Sequence, residues 1–150
     1  MKKIVTKKTS NPLITISNET TFIPKFDIKA FFNKILCLKK LKKGIYDINL
    51  VNQKTMITIN KTHLERDYLT DIITFNLGSL SDPIGDIYIS PDKAMENAAQ
   101  FKSSVTDEIK LLLVHGLLHI LEYRDYTEKE KKEMDQEQER LLKLLNESTL

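Results

Sequence analysis

A chain of 150 residues, 41% hydrophobic and 29% charged, fits one domain with a substantial core and has the balance of an ordinary soluble globular protein. No apolar run approaches the roughly 20 residues of a membrane span, and the single cysteine, Cys37, excludes an intramolecular disulfide and a cysteine-based zinc cluster. The net charge of +2 is unevenly spread: residues 1–43 hold eleven lysines against two acids, residues 44–126 carry −5 and residues 127–150 carry −2.

Residues 1–12 read as a basic, loosely ordered lead containing Lys2, Lys3, Lys7 and Lys8. This lead has the charge of a signal peptide but no apolar segment behind it, so a cytoplasmic address is the simplest expectation. The alternating, β-branched Leu13 to Ser17 predicts a strand. From Phe26, the apolar residues Ile28, Phe31, Phe32, Ile35 and Leu38 fall at helical spacing and predict an amphipathic helix to about Leu41, with Cys37 a passive, mostly buried member. Lys39, Lys40, Lys42 and Lys43 are expected in its last turn, where cations suit the helix dipole, with Gly44 as the stop. The cluster serves either as a solvated surface or as a site for a phosphate-rich partner.

Ile45 to Val51 alternates as a second strand, and residues 53–66 lean towards helix despite the strand formers Thr55 to Ile59. Asp71 to Phe75 and Gly85 to Ile89 predict two more strands around the turn-rich Ser79 to Pro83. Ser90-Pro91 is an N-cap followed by proline at the first helical position, opening a helix to about Phe101. Thr106-Asp107-Glu108 is expected to start a long helix through Leu121, with positions 109, 112, 113, 116, 117 and 120 buried. Thr127 to Glu130 is a capping box for a last helix whose inner side carries Met134, Leu141, Leu142 and Leu145. The expected fold is α+β: a single domain with one mixed sheet of about four strands packed with about five helices.

Two of the three histidines, His115 and His119, lie four residues apart at the end of the long helix, with Asp125 six residues further on. On a helix, residues i and i+4 share a face, so both imidazoles can meet one ion, and a turn after Leu121 can fold Asp125 back as a third ligand. Buried imidazoles without partners are costly, and a divalent metal removes that cost. Three protein ligands leave a position open for water or substrate, the arrangement of catalytic zinc sites, so a metal-dependent hydrolase is expected. Zinc fits best, while two histidines and a carboxylate also suit ferrous iron or manganese. The spacing is shared with metzincin proteases, whose general base directly follows the first histidine; that position is Gly116, which argues against peptide hydrolysis.

The run His115-Gly116-Leu117-Leu118-His119-Ile120-Leu121-Glu122-Tyr123-Arg124-Asp125 resembles the hallmark His-Gly-x-Leu-His-x-x-Gly-Tyr-Asp-His of the YbeY family of bacterial endoribonucleases, or rRNA maturation factors. Asp67 to Phe75 is similar to the family's Asp-x-Pro-Thr-Asp-Val-Leu-Ser-Phe, and Gly85-Asp86-Ile87 to its Gly-Asp-Ile strand, so three ordered motifs cover residues 60–125. The resemblance implies an α+β fold with a zincin-like metal-binding helix, one zinc ion, and single-strand-specific RNA cleavage. It further implies action in small-subunit rRNA 3′-end maturation and ribosome quality control. Implied partners are rRNA, the small ribosomal subunit or its precursors, and a ribosome-assembly GTPase, with no membrane. In that setting Lys39, Lys40, Lys42 and Lys43 become candidate RNA contacts.

The departures bear on activity. Asp125 stands where the family has a third histidine; it can coordinate through oxygen, but the lower site charge acidifies a water less. It can instead be only a helix-exit residue, the third ligand then being water. Glu122 replaces the turn glycine, at a cost of about 1–2 kcal/mol if the turn is left-handed. His63 and Leu64 align with the family's tyrosine and arginine, and leucine cannot clamp phosphate. Arg66 can substitute only if the local backbone is extended. The alternative function is therefore a ribosome-assembly RNA-binding factor with weakened or lost nuclease activity.

Overall fold

The computed structural model describes residues 11–64 and 70–147. Lys2, Lys3, Lys7 and Lys8, Arg66 and the segment 67–69 of the upstream motif lie outside the described residues. In chain order the elements are β1 (Leu13–Asn18), α1 (Ile28–Leu38), β2 (Ile45–Leu50), α2 (Gln53–Leu64), β3 (Ile72–Asn76), β4 (Ile84–Ile89), α3 (Pro91–Gln100), α4 (Val105–Ile120) and α5 (Glu128–Glu147). The four strands form one sheet in the order β1-β2-β4-β3, with β1, β2 and β4 parallel and β3 antiparallel at the edge. Among the described residues this is the expected single α+β domain with one mixed sheet and five helices.

The two-residue period of the strands sends Ile14, Tyr46, Ile48, Leu50, Ile87 and Ile89 to one face, where they meet α1, α4 and α5 in the main core. On the other face α2 buries Met56 against Val51 and Ile73, beside Ile59, Phe75 and Tyr88. The helical reading of residues 53–64 thus holds against their β-branched content because burying Met56 on the sheet outweighs propensity.

In α1 the buried stripe is Ile28, Phe31, Phe32, Ile35 and Leu36. Cys37, expected to be mostly buried, is exposed, and Leu38 is about one-third exposed at 37%, because the stripe turns through Leu36 and leaves the next two residues towards the outer face. The helix also ends earlier than expected. Lys39 is the C-cap and Lys40 takes a left-handed φ of 59°, with the amides of Lys40 and Leu41 donating to the carbonyls of Cys37 and Leu36. Gly44, with φ of 123°, serves the entry to β2 instead, where Leu13 donates to its carbonyl.

Helix α4 starts one turn-residue earlier than Thr106: Ser104 is the N-cap, its side chain accepting from the Asp107 amide, while Asp107 and Glu108 enrich the first turn. All six expected positions, 109, 112, 113, 116, 117 and 120, are buried. Two glycines bring this helix down onto the sheet. A Cβ on Gly85 of β4 would stand 2.2 Å from Ile120 Cδ1, and one on Gly116 would stand 3.1 Å from Ile87 Cδ1 and 3.2 Å from Ile72 Cδ1. The position that carries the metzincin base is therefore pressed against β3 and β4, where even a Cβ would need its neighbours to give by a few tenths of an ångström.

Candidate metal centre

Helix α4 closes with the same left-handed device as α1. Leu121 is its C-cap, Glu122 has φ of 70°, and the amides of Glu122 and Tyr123 donate to the carbonyls of His119 and Leu118. The turn is thus left-handed, with a glutamate at the position where the hallmark has glycine. One of the helix's end-carbonyls, that of Ile120, is met by the Asn76 side-chain amide from β3 at 3.1 Å. The chain then reverses into α5 through the expected capping box, in which the Glu130 amide donates to Thr127 Oγ1 and the Thr127 amide to Glu130 Oε1, both at 3.1 Å.

This reversal folds Asp125 back to the histidines. One donor atom each from His115, His119 and Asp125 lies within 4.8 Å of the others, the one such trio of His, Cys, Asp or Glu among the described residues. The two Nε2 atoms are 3.1 Å apart, and Asp125 Oδ2 is 3.9 Å from His119 Nε2. Two nitrogens sharing one zinc at about 2.0–2.1 Å in tetrahedral geometry stand about 3.3 Å apart, so the histidine pair is spaced for one ion.

The opposite ring atoms explain why the Nε2 lone pairs converge. His119 Nδ1 is 3.1 Å from the Tyr123 carbonyl, which can only accept, so Nδ1 carries the proton and Nε2 is bare. His115 Nδ1 is 3.0 Å from Gln138 Oε1 on α5, which sets the same tautomer. Two bare nitrogens 3.1 Å apart repel, and a cation between them removes the repulsion. Burial, followed by the neighbouring His115, holds His119 below its ordinary pKa against the raising effects of the Tyr123 carbonyl and Asp125. It is therefore held as the neutral imidazole, the form that metal ligation requires.

The site opens into a groove of about 960 Å³ lined by the trio and, among others, Asn60, Asp71, Thr74, Asn76 and Tyr126. Three carboxylates, Asp71, Glu122 and Asp125, face Arg124 as the cation of the described lining. Such a groove repels a polyanion unless a cation is held in it. Arg124 is itself tied to the capping Glu130 at 3.2 Å and lies over the Tyr126 ring at 5.4 Å, while Tyr126 is 80% exposed.

The other expected site residues fall as follows. His63 is exposed and packs edge-on against Phe75 at 5.5 Å between ring centroids, away from the trio. Lys40, Lys42 and Lys43 are exposed. Lys39 is not: its side chain, 17% exposed, pairs with Glu137 of α5 and donates to Tyr123 Oη at 3.3 Å. Glu137 also receives a two-pronged contact from Arg140 at 2.7 and 2.8 Å. The Arg140 bond, then the Lys39 bond against partial burial, hold its carboxyl down at about 2. Sequence reasoning missed Gln138, the Tyr123 carbonyl and Asn76; Tyr123 lies inside the His115 to Asp125 run and Asn76 directly follows the Asp67 to Phe75 segment, whereas Gln138 lies in no motif.

Fold and site together define an α+β protein with a candidate three-ligand metal centre at the end of a helix. The chain belongs to the YbeY family: a family model described as Endoribonuclease YbeY matches residues 13–146. The Endoribonuclease YbeY of Cytophaga hutchinsonii is 38% identical over 79% of this chain and 83% of its own. That of Bacillus licheniformis is 35% identical over 87% of this chain and 92% of its own. The solution structure of a Thermotoga maritima protein, 24% identical, shares the fold with a TM-score of 0.65 over 89% of each chain.

Proposed function

We propose that the protein is a metal-dependent endoribonuclease that cuts single-stranded RNA and acts in small-subunit rRNA 3′-end maturation and ribosome quality control. Rather than any lysine patch, the observation that carries this reading is the pair of Nε2 atoms 3.1 Å apart, each turned inward by an acceptor on its Nδ1, with Asp125 beside them. The name Endoribonuclease YbeY carried by its relatives supports the substrate class.

His115, His119 and Asp125 would hold the ion, for which zinc is the best match to two imidazoles and a carboxylate. When bound, a divalent ion supplies Lewis-acid chemistry for a phosphoryl oxygen and a lowered pKa for water. The rest is the chain's own work. The Tyr123 carbonyl and Gln138 keep both rings in the ligating tautomer. Exposed Tyr126 at the groove rim offers a stacking face to an unpaired base, which a duplex does not present. Lys40, Lys42 and Lys43 attract the backbone without regard to sequence. Ribosomal precursor particles and a ribosome-assembly GTPase are the partners, and the cytoplasm is the setting; no helix among the described residues is long and apolar enough to cross a membrane.

The second reading, an assembly factor with weakened nuclease activity, rests on Leu64 and Asp125 standing where the family has arginine and histidine. A cleavage assay on a single-stranded fragment of small-subunit rRNA separates the two. The nuclease reading expects cutting by metal-loaded protein and none by the His115→Ala, His119→Ala double variant. Equal, tight binding of precursor particles by both proteins, with no cutting by either, supports the assembly factor.

A further inference from the structure

Followed outward from their Nδ1 atoms, both imidazoles lead to one cluster of charges. His115 leans on Gln138, whose neighbour on α5 is Glu137. His119 leans on the carbonyl of Tyr123. Lys39, at the C-cap of α1, reaches both: its Nζ meets Glu137 Oε2 at 2.5 Å and Tyr123 Oη at 3.3 Å, and lies 5.3 Å from the centre of the Tyr123 ring. Arg140 donates to both oxygens of the Glu137 carboxylate, sharing Oε2 with Lys39. Lys39 and Glu137 are 17% and 14% exposed, so their pair is shielded from the screening that makes surface ion pairs weak.

We propose that Lys39 is a positioning residue for metal binding. By joining Glu137 to Tyr123 it fixes Gln138 against His115 and the Tyr123 carbonyl against His119, so that both rings present Nε2 to one ion. A staple between α1 and α5 alone needs only the Glu137 contact. The additional grip on Tyr123, a residue of the connecting turn, reaches the acceptor of the second histidine. Lys39 therefore belongs to the support of the metal centre, in contrast to the exposed Lys40, Lys42 and Lys43 of the same run. The inference rests on the metal-centre reading, and its test keeps the two separable.

The full chain is stripped of metal, and wild type is compared with Lys39→Met, Lys39→Arg and Glu137→Gln. Zinc affinity is measured by competition with a chromophoric chelator well below the unfolding temperature. Imidazole tautomers of the metal-free chains are read by nitrogen-15 NMR. Lys39→Met is expected to weaken zinc binding by about 10- to 100-fold and to lower the share of Nδ1-protonated His119, with Lys39→Arg recovering most of both. Should Lys39→Met fail to fold, the isosteric Glu137→Gln carries the same expectation. Unchanged affinity and tautomers, even with a lowered melting temperature, overturn the proposal and leave Lys39 a staple. Loss of RNA binding with unchanged zinc affinity overturns it too. If wild type itself takes up no zinc, the metal-centre reading fails, and the tautomers alone decide whether Lys39 positions the rings.

Discussion

Glu122 stands in a left-handed turn at the position where the family hallmark has glycine. Its φ of 70° places a residue with a Cβ in the left-handed region, at a cost of about 1–2 kcal/mol. Glycine there removes the strain but widens the unfolded ensemble, which takes back about 0.4–1 kcal/mol. Glu122→Gly should therefore stabilise the fold by roughly 0.5–1 kcal/mol, or about 1–4 °C in melting temperature for a domain of this size. Lys102, with φ of 56° at the end of α3 and the same closing bond from Ser103 to Ala98, provides an independent copy of the turn far from the histidines in sequence. Urea unfolding of Glu122→Gly, Glu122→Ala and Lys102→Gly measures the effect. Both glycine variants should gain stability and the alanine variant should not, because it retains the Cβ. If neither glycine variant gains, strain at these turns is not the controlling term. If only Lys102→Gly gains, the Glu122 side chain supports its turn through some contact of its own.

Three further outcomes follow from the geometry. Gly85→Ala should destabilise by about 1–3 kcal/mol, since the new methyl drives into Ile120 of the histidine helix, and pairing it with Ile120→Val should cost less than the sum of the two changes, as chemical denaturation will show. Glu137 has a folded pKa of about 2, below its unfolded value, so its stabilisation is full above the ordinary carboxylate range and is lost as pH falls towards 2; the Glu137→Gln variant should show a shallower loss of stability between pH 5 and pH 2, by about one proton, in acid titrations followed by circular dichroism. Tyr126→Ala should weaken binding of a short single-stranded RNA by about 1–3 kcal/mol without changing its salt dependence, whereas neutralising Lys40, Lys42 and Lys43 should flatten that dependence in fluorescence titrations.

Much of this fold is written in local signals. The apolar stripe of α4, the Ser90-Pro91 start of α3 and the Thr127 box of α5 are short-range patterns whose physics is complete within a few residues. The metal trio was legible for the same reason, since histidines i and i+4 share a face and Asp125 needs only a turn to join them. What stayed hidden depends on contacts across the chain. Gln138 meets His115 over 23 residues with no motif to announce it, and the partner of His119 is a backbone carbonyl, which has no sequence identity at all. Lys39 looked like its exposed neighbours because only the packing of α1 on α5 turns it inward. Cys37 falls one position outside the buried stripe, and the histidine helix starts at Val105, one residue before the expected Thr106, because a single residue decides between faces or between starts.

The central claim is that His115, His119 and Asp125 hold one divalent ion. Calorimetric titration of zinc into the metal-free chain, with His115→Ala, His119→Ala and Asp125→Ala titrated beside it, tests that claim most directly. The account predicts one ion per wild-type chain, no tight site once either histidine is removed, and a weakened site without Asp125. Stoichiometric zinc binding undiminished by loss of either histidine, or no tight binding by folded wild type, would contradict it.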